Sequence, residues 1–440
     1  MEQDQSTTGQ WARSLWDKGK LFLKCAVIFI TALVLWIPTS FILNLVKERK
    51  ERQAEAVADI SSKWAGQQTI TGPLLNIPYD EITKDEKGNT VILKRDLWFM
   101  PDKLDIKTKI YPEKRHRGIY HVAVYRSDVS INIKFNPLKW QDLKIPSENI
   151  RWAGARLLFR VTDNIKGVND DININWDGNI IPFNPRSTGT ETVSDGYIAE
   201  FPFSAEAANT EHTGSMSFSI NGSEKLLFTA SGRENKVEMN SSWKNPSFTG
   251  VKLPDTREVG DTGFTATWKY LNRSVPQVWK DNFYDLSASV VGADLLISVD
   301  SYEKTERSVK YAILCIILTF ASFFLIETIY KKPLHLIQYA LAGLALVLFY
   351  TLLLSISEYI GFNPAYGIAA VATISLVAWY MGSILRSSKL ALFISFVLTV
   401  VYTYIFIIIQ LQDYALLMGS IGLFIALGII MYFSRKLQWT

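Results

Sequence analysis

The residues of this chain that could do chemistry are few: four histidines, two cysteines and a small set of carboxylates at the margins of apolar runs. Ionisable groups at bilayer depth are costly and usually functional. That singles out Glu327, His335 and Gln338 near one end of two long apolar runs, and Glu358 and Asp413 near the other end. A short basic joint separates Glu327 from His335, which allows a Glu–His pair able to hold a proton. The alternative is that both sit at the interface and are solvated. Gln338 lies one turn from His335 and is placed to bond to a neighbouring helix. His335 and Glu358 share one expected helix about 23 residues apart, roughly 34 Å at the helical rise, so they cannot share a site.

No other constellation points to a reaction. His116 and His121 are about five residues apart in one expected strand, which turns them to opposite faces. His212 falls in a polar loop and reads as a solvated side chain. A metal site needs three or four convergent ligands, so no metal is expected. HExxH, CxxC, GxSxG and GxxxxGK[ST] are all absent from the sequence, so no catalytic residue and no cofactor is assigned. Cys25 and Cys315 both lie in apolar runs, which leaves the middle of the chain without a disulfide. The net charge of +4 is spread along the sequence, and this disfavours a nucleic-acid partner. Membrane lipids remain as partners; the sequence does not encode an oligomeric state.

The elements that must position these residues belong to two physical regimes. Of 440 residues, 48% are hydrophobic, but the apolar residues concentrate at 21–46 and again after 309. Runs at 309–329, 334–356, 365–385, 390–410 and 414–433 each approach the roughly 20 residues that a helix needs to span a bilayer. Residues 21–46 are too long for the apolar part of a cleavable leader and read as a retained anchor, with a kink at Pro38. After it, Val57, Ile60 and Trp64 recur at helical spacing, so the first helix is expected to continue beyond the membrane. Alternation then takes over: Val129, Ile131, Ile133 and Phe135; Met216, Phe218 and Ile220; Phe264, Ala266 and Trp268. Asp177-Gly178 and Asn221-Gly222 read as hairpin turns. Roughly 10 to 14 short strands fit between residues 69 and 299, as a sandwich or as two packed lobes.

The fold class is therefore an α+β membrane protein. Six transmembrane helices, one N-terminal and five C-terminal, flank a large β-rich extracytoplasmic domain at 47–308. Short loops fix the orientation. Lys331, Lys332, Arg386, Lys389, Arg435 and Lys436 mark one side, while 357–364 and 411–413 carry no basic residue. Both termini, 1–20 and 434–440, are thus expected in the cytoplasm and the β domain outside. The bases Lys47, Arg49, Lys50 and Arg52 run against this trend. With Lys304, Arg307 and Lys310 at the second root of the domain, they are the candidate partners of Glu358 and Asp413, in pairs that would dock the domain on the bundle. Small residues at Ala365, Gly367, Ala369, Ala370 and Ala372, and at Gly419, Gly422 and Gly428, indicate close helix packing, or else a groove for a transported or lipid ligand.

Several stretches resemble the bacterial CreD family, also called the cell envelope integrity family. They are GPLLNIPY at 72–79, RGIYHVAVY at 117–125, SSWKNPSFTG at 241–250, KTERSVKYAIL at 304–314, HLIQY at 335–339, FYTLLLSISEYIGF at 349–362, DYALLMGS at 413–420 and MYFSRKLQW at 431–439. The chain departs from the family pattern at Leu336, where proline usually follows the histidine. The resemblance implies a Gram-negative inner-membrane protein tied to envelope integrity and to a two-component stress response, with other envelope proteins as candidate partners. It brings no catalytic residue. The expected function is non-enzymatic support of the envelope, and the competing one is a transporter or lipid-handling protein.

Overall fold

A computed structural model describes residues 23–434 apart from 187–195, 274, 282–283, 285, 296–299, 331 and 412–413. The N-terminal segment, Lys331, Asp413, Arg435 and Lys436 lie outside the described residues. The chain divides into two compact units, one of Met1–Ala54 with Ser298–Thr440 and one of Glu55–Ile297.

The second unit is a sandwich of a nine-stranded and an eight-stranded sheet. The eight-stranded sheet runs in the order Thr256–Gly260, Gly263–Leu271, Glu234–Ser241, Lys103–Arg117, Tyr120–Phe135, His212–Ser223, Asn173–Trp176 and Asn179–Pro182. The other runs Pro246–Gly250, Val290–Leu295, Lys225–Thr229, Gln68–Lys84, Arg156–Val161, Gly196–Glu200 and Asn184–Arg186. Thr90–Phe99 pairs with Gln68–Lys84 off this path, and Val278–Lys280 pairs with Thr90–Phe99. The alternating residues face one shared core, with Val129, Ile131, Ile133, Phe135, Phe264, Ala266 and Trp268 all buried. Phe159 of one sheet meets Phe218 of the other edge-on at 5.2 Å. The strands outnumber the 10 to 14 expected and are not all short. Gln68–Lys84 has 17 residues; Pro73 falls where its pairing with Arg156–Val161 is irregular, while Pro78 stays in register opposite Asp96. The partner register slips between Thr71 and Leu74.

Of the two expected hairpin turns, one forms. Asp177 and Gly178 have φ of 49° and 89° and join Asn173–Trp176 to Asn179–Pro182 as a two-residue loop. Asn221 and Gly222 instead lie inside His212–Ser223, paired with Arg126 and Tyr125. Gly222 is there for space: a Cβ would run into the Tyr125 ring and hydroxyl, which donates to Lys225 O at 2.6 Å. The chain turns at Glu224, φ 60°. His116 and His121 do not occupy one strand. They face each other across the hairpin of Lys103–Arg117 and Tyr120–Phe135, ring centroids 6.1 Å apart, because the chain reverses at Gly118 (φ 60°).

The first unit is helical. Its helices are α1 (Leu23–Trp64, of which residues 55–64 belong to the second unit), α2 (Asp300–Lys310), α3 (Ala312–Tyr330), α4 (Leu336–Ile360), α5 (Phe362–Leu385), α6 (Ser388–Gln410) and α7 (Ala415–Ser434). Among the described residues α1, α3, α4, α5 and α6 are long and apolar enough to cross a membrane. The 20-residue α7 is the helix of the last apolar run. α1 is interrupted by a turn at Leu35, three residues before Pro38, whose ring cannot donate to the preceding turn. In α5 the small residues divide: Ala365, Ala369 and Ala370 are buried, while Gly367 and Ala372 face outward. Phe320, Phe323, Tyr339, Phe349, Tyr350 and Tyr402 fill the helical core.

Candidate functional site

Polar side chains gather at two levels of the helical unit, and each gathering ties α1 to the C-terminal helices. At the first, the Glu327 carboxylate near the end of α3 accepts from Lys24 Nζ and from Tyr339 Oη at 3.1 Å. Lys24 also donates to Leu334 O at 3.0 Å. The Glu327 side chain is only 12% exposed, so the ammonium and the phenol take over the work of water. Lys24 escapes a reading that searches the C-terminal runs for partners, since it lies 303 residues away in sequence. The signal that could have found it is that Lys24 is the one charged residue between 21 and 46.

His335 and Gln338 are not part of this cluster, which corrects both the Glu–His pair and the interhelical role of Gln338. They cap the start of α4. His335 Nδ1 accepts from the Ile337 N–H at 3.4 Å, and Gln338 Oε1 accepts from the His335 N–H at 3.0 Å. The opening turn of any helix leaves its N–H groups unpaired, and this pair satisfies them reciprocally. Leu336, where the chain departs from the family pattern, is the first helical residue, a position that suits proline or leucine alike.

At the second level, Glu358 near the end of α4 accepts from Tyr302 Oη of α2 at 3.0 Å and lies 3.7 Å from Arg49 Nε of α1. Its side chain is 9% exposed. Beside it Glu306 of α2 receives Lys50 and Lys310, each at 2.8 Å. Hydrogen bonds from Lys310 and then from Lys50 hold the Glu306 carboxyl down at about 2. Lys304 Nζ stands over the Phe362 ring at 6.0 Å. Arg52 pairs within its own helix with Glu48 at 2.7 Å, and Arg307, in the last turn of α2, is not among the partners of Glu358 or Glu306. Of the root cations, then, the structure brings Arg49 to Glu358, and Lys50 and Lys310 to a glutamate that the sequence reading did not single out.

The sandwich holds one further correction. His212 is buried, with Nδ1 2.6 Å from Asp177 Oδ2, Nε2 2.8 Å from Ala207 O and its ring stacked on Trp176. It is a satisfied structural histidine rather than a solvated loop residue, with both ring nitrogens engaged. The turn Asp177-Gly178, recognised in sequence for its backbone, also supplies this carboxylate. Among the described residues, no three His, Cys, Asp or Glu side chains converge as a metal site would require. A cavity of about 500 Å³ on the solvent side of the eight-stranded sheet is lined by Lys107, Lys109, Asp128, Ser130, Glu238 and their neighbours, whose opposite charges offset one another.

This arrangement can fasten helices, hold charge in a poorly solvated place and resist separation of α1 from its neighbours. The comparisons with known proteins agree with its membrane character. The family model described as inner membrane protein CreD matches residues 20–440. A curated relative, the inner membrane protein CreD of Escherichia coli (strain K12), is 30% identical over 434 residues, which cover 96% of this chain and 94% of the relative.

Proposed function

The chain belongs to the CreD family of inner membrane proteins, and from that premise we propose that it supports cell envelope integrity and the response to envelope stress as a tether, without catalysing a reaction. In this reading the termini are cytoplasmic and the β sandwich is periplasmic, as the alternation of Lys332, Arg386 and Lys389 with base-free loops favours. The observation that carries it is the grip on Glu358. Tyr302 and Arg49 come from the two segments of chain that lead into and out of the sandwich, and both converge on this one carboxylate. A load on either segment is thus shared by α4 rather than borne by a single root. Glu327 repeats the device at the other level through Lys24. Carboxylates so fully engaged with fixed partners suit fastening better than turnover.

The test is a charge exchange in cells at matched protein level. Glu358→Lys should lower resistance to a membrane-perturbing detergent, and Arg49→Glu in the same chain should restore much of it. Normal resistance in Glu358→Lys, or failure of the exchange to rescue, would overturn the tether.

A further inference from the structure

Beyond the tether, and independent of it, the sandwich carries an unpartnered arm. The outer half of Gln68–Lys84 and the start of Thr90–Phe99 continue past the rest of the sheet, where residues 80–84 and 90–94 pair only with each other. Ile82 and Ile92 are directly opposite in this register and so share a face. They are 58% and 59% exposed. The neighbouring pairs on that face are Lys84 with Thr90 and Asp80 with Lys94. Arg151 engages Asp80, its Nε donating to Oδ2 at 2.9 Å and its Nη2 lying 2.8 Å from Oδ1 as an ion pair. Lys84 and Lys94 have no acidic partner within ion-pair distance among the described residues. The opposite face keeps its own charges closed, with Glu81 3.0 Å from Arg95. At the tip, Asp85 is turned inward onto the Lys87 and Asn89 N–H groups.

The result is an exposed aliphatic pair framed by two uncompensated lysines. Lysine is depleted at the centres of protein–protein interfaces. Aliphatic side chains ringed by long cationic ones instead suit the boundary between headgroups and acyl chains, where the ammonium reaches phosphate and the stem covers hydrocarbon. We infer that this face of the arm docks on an anionic phospholipid surface, with Ile82 and Ile92 entering the acyl boundary and Lys84 and Lys94 meeting the headgroup phosphates.

The experiment uses the full chain in neutral phosphatidylcholine nanodiscs, with Cys25→Ala, Cys315→Ala and an environment-sensitive fluorophore on Thr90→Cys, beside the isoleucines. Phosphatidylglycerol, supplied in the disc or as added vesicles, should shift the emission to the blue and make it quenchable by spin-labelled lipid, while inorganic phosphate leaves it unchanged. Ile82→Ser with Ile92→Ser should abolish the shift. Lys84→Ala and Lys94→Ala should each weaken the response to anionic lipid about fivefold, and added salt should weaken it further. The arm substitutions lie on exposed positions, and circular dichroism matching that of the natural chain shows that they and the cysteine-free background fold. The inference is overturned by an unchanged emission with both lipid supplies, by an equal response to neutral vesicles, by a response to free phosphate, or by a shift that follows protein concentration without anionic lipid, which would mark a second copy on the free strand edges.

Discussion

The sandwich and the helical unit use charge in opposite ways. In the sandwich the interior is aromatic and aliphatic, with Phe159, Phe228 and Trp268 almost wholly buried, and most ion pairs lie at the surface, as in Glu81–Arg95 with both side chains over 40% exposed, while Arg156–Asp96 and Lys225–Asp294 are half-buried. In the helical unit apolar side chains cover the outside as well, including Phe29, Trp36, Phe41 and Phe424, and the carboxylates of Glu327 and Glu358 are drawn in. Water rewards burial of apolar surface; lipid tails do not, so packing and polar bonds must hold helices together there. The same residue types are therefore mostly peripheral in one unit and central in the other.

The largest test of this contrast is Phe159→Ala. Removing a buried ring from the shared core should destabilise the sandwich by about 3–5 kcal/mol, read from denaturant unfolding followed by tryptophan fluorescence. A loss below about 1 kcal/mol would break the contrast at its first term. Next comes Glu327→Gln, which leaves Lys24 without its counter-charge. Thermal unfolding in nanodiscs should show a loss of about 1–3 kcal/mol, against about 0–1 kcal/mol for Arg95→Ala on the sandwich surface. The reverse order would show that the charges are interchangeable after all. The smallest effect is acid sensitivity. Glu306 is held at about 2 against an ordinary value of 4.5, so its contribution is complete above about pH 4.5 and fades as the pH falls toward 2. Helical-unit stability should decline across that window in the natural chain and less in Glu306→Gln; identical acid profiles would remove Lys50 and Lys310 from the account.

What the sequence made legible follows from range. Spans and strands depend on neighbours within a few residues, so Val129 to Phe135 and the apolar runs announce themselves. Asp177-Gly178 is a turn in any context, whereas Asn221-Gly222 has the same local signature and is overruled by Tyr125, packed against it from the next strand. His212 looked solvated because its burying partners, Trp176 and Asp177, come from another strand and its turn. Arg49 could be proposed for Glu358 because both stood out as charges on the wrong side or without a mate. Lys24 could not be matched to Glu327 by spacing, and a histidine at the head of an apolar run has the same local signature whether it caps the helix or carries a proton.

Lys24 and Arg49 mark two anchor points on α1. They stand about 25 residues apart on α1, a rise of about 37 Å, and each is hooked to a different neighbour, α3 at Glu327 and α4 at Glu358. The hydrocarbon layer measures about 30 Å. A helix fastened near both ends behaves as a calliper of set opening. A bilayer that thins or thickens cannot be met by α1 tilting alone, and the mismatch, worth fractions of a kcal/mol per Å, is handed to α3 and α4 as well. The break at Leu35 lies between the jaws, at the point where such a calliper flexes.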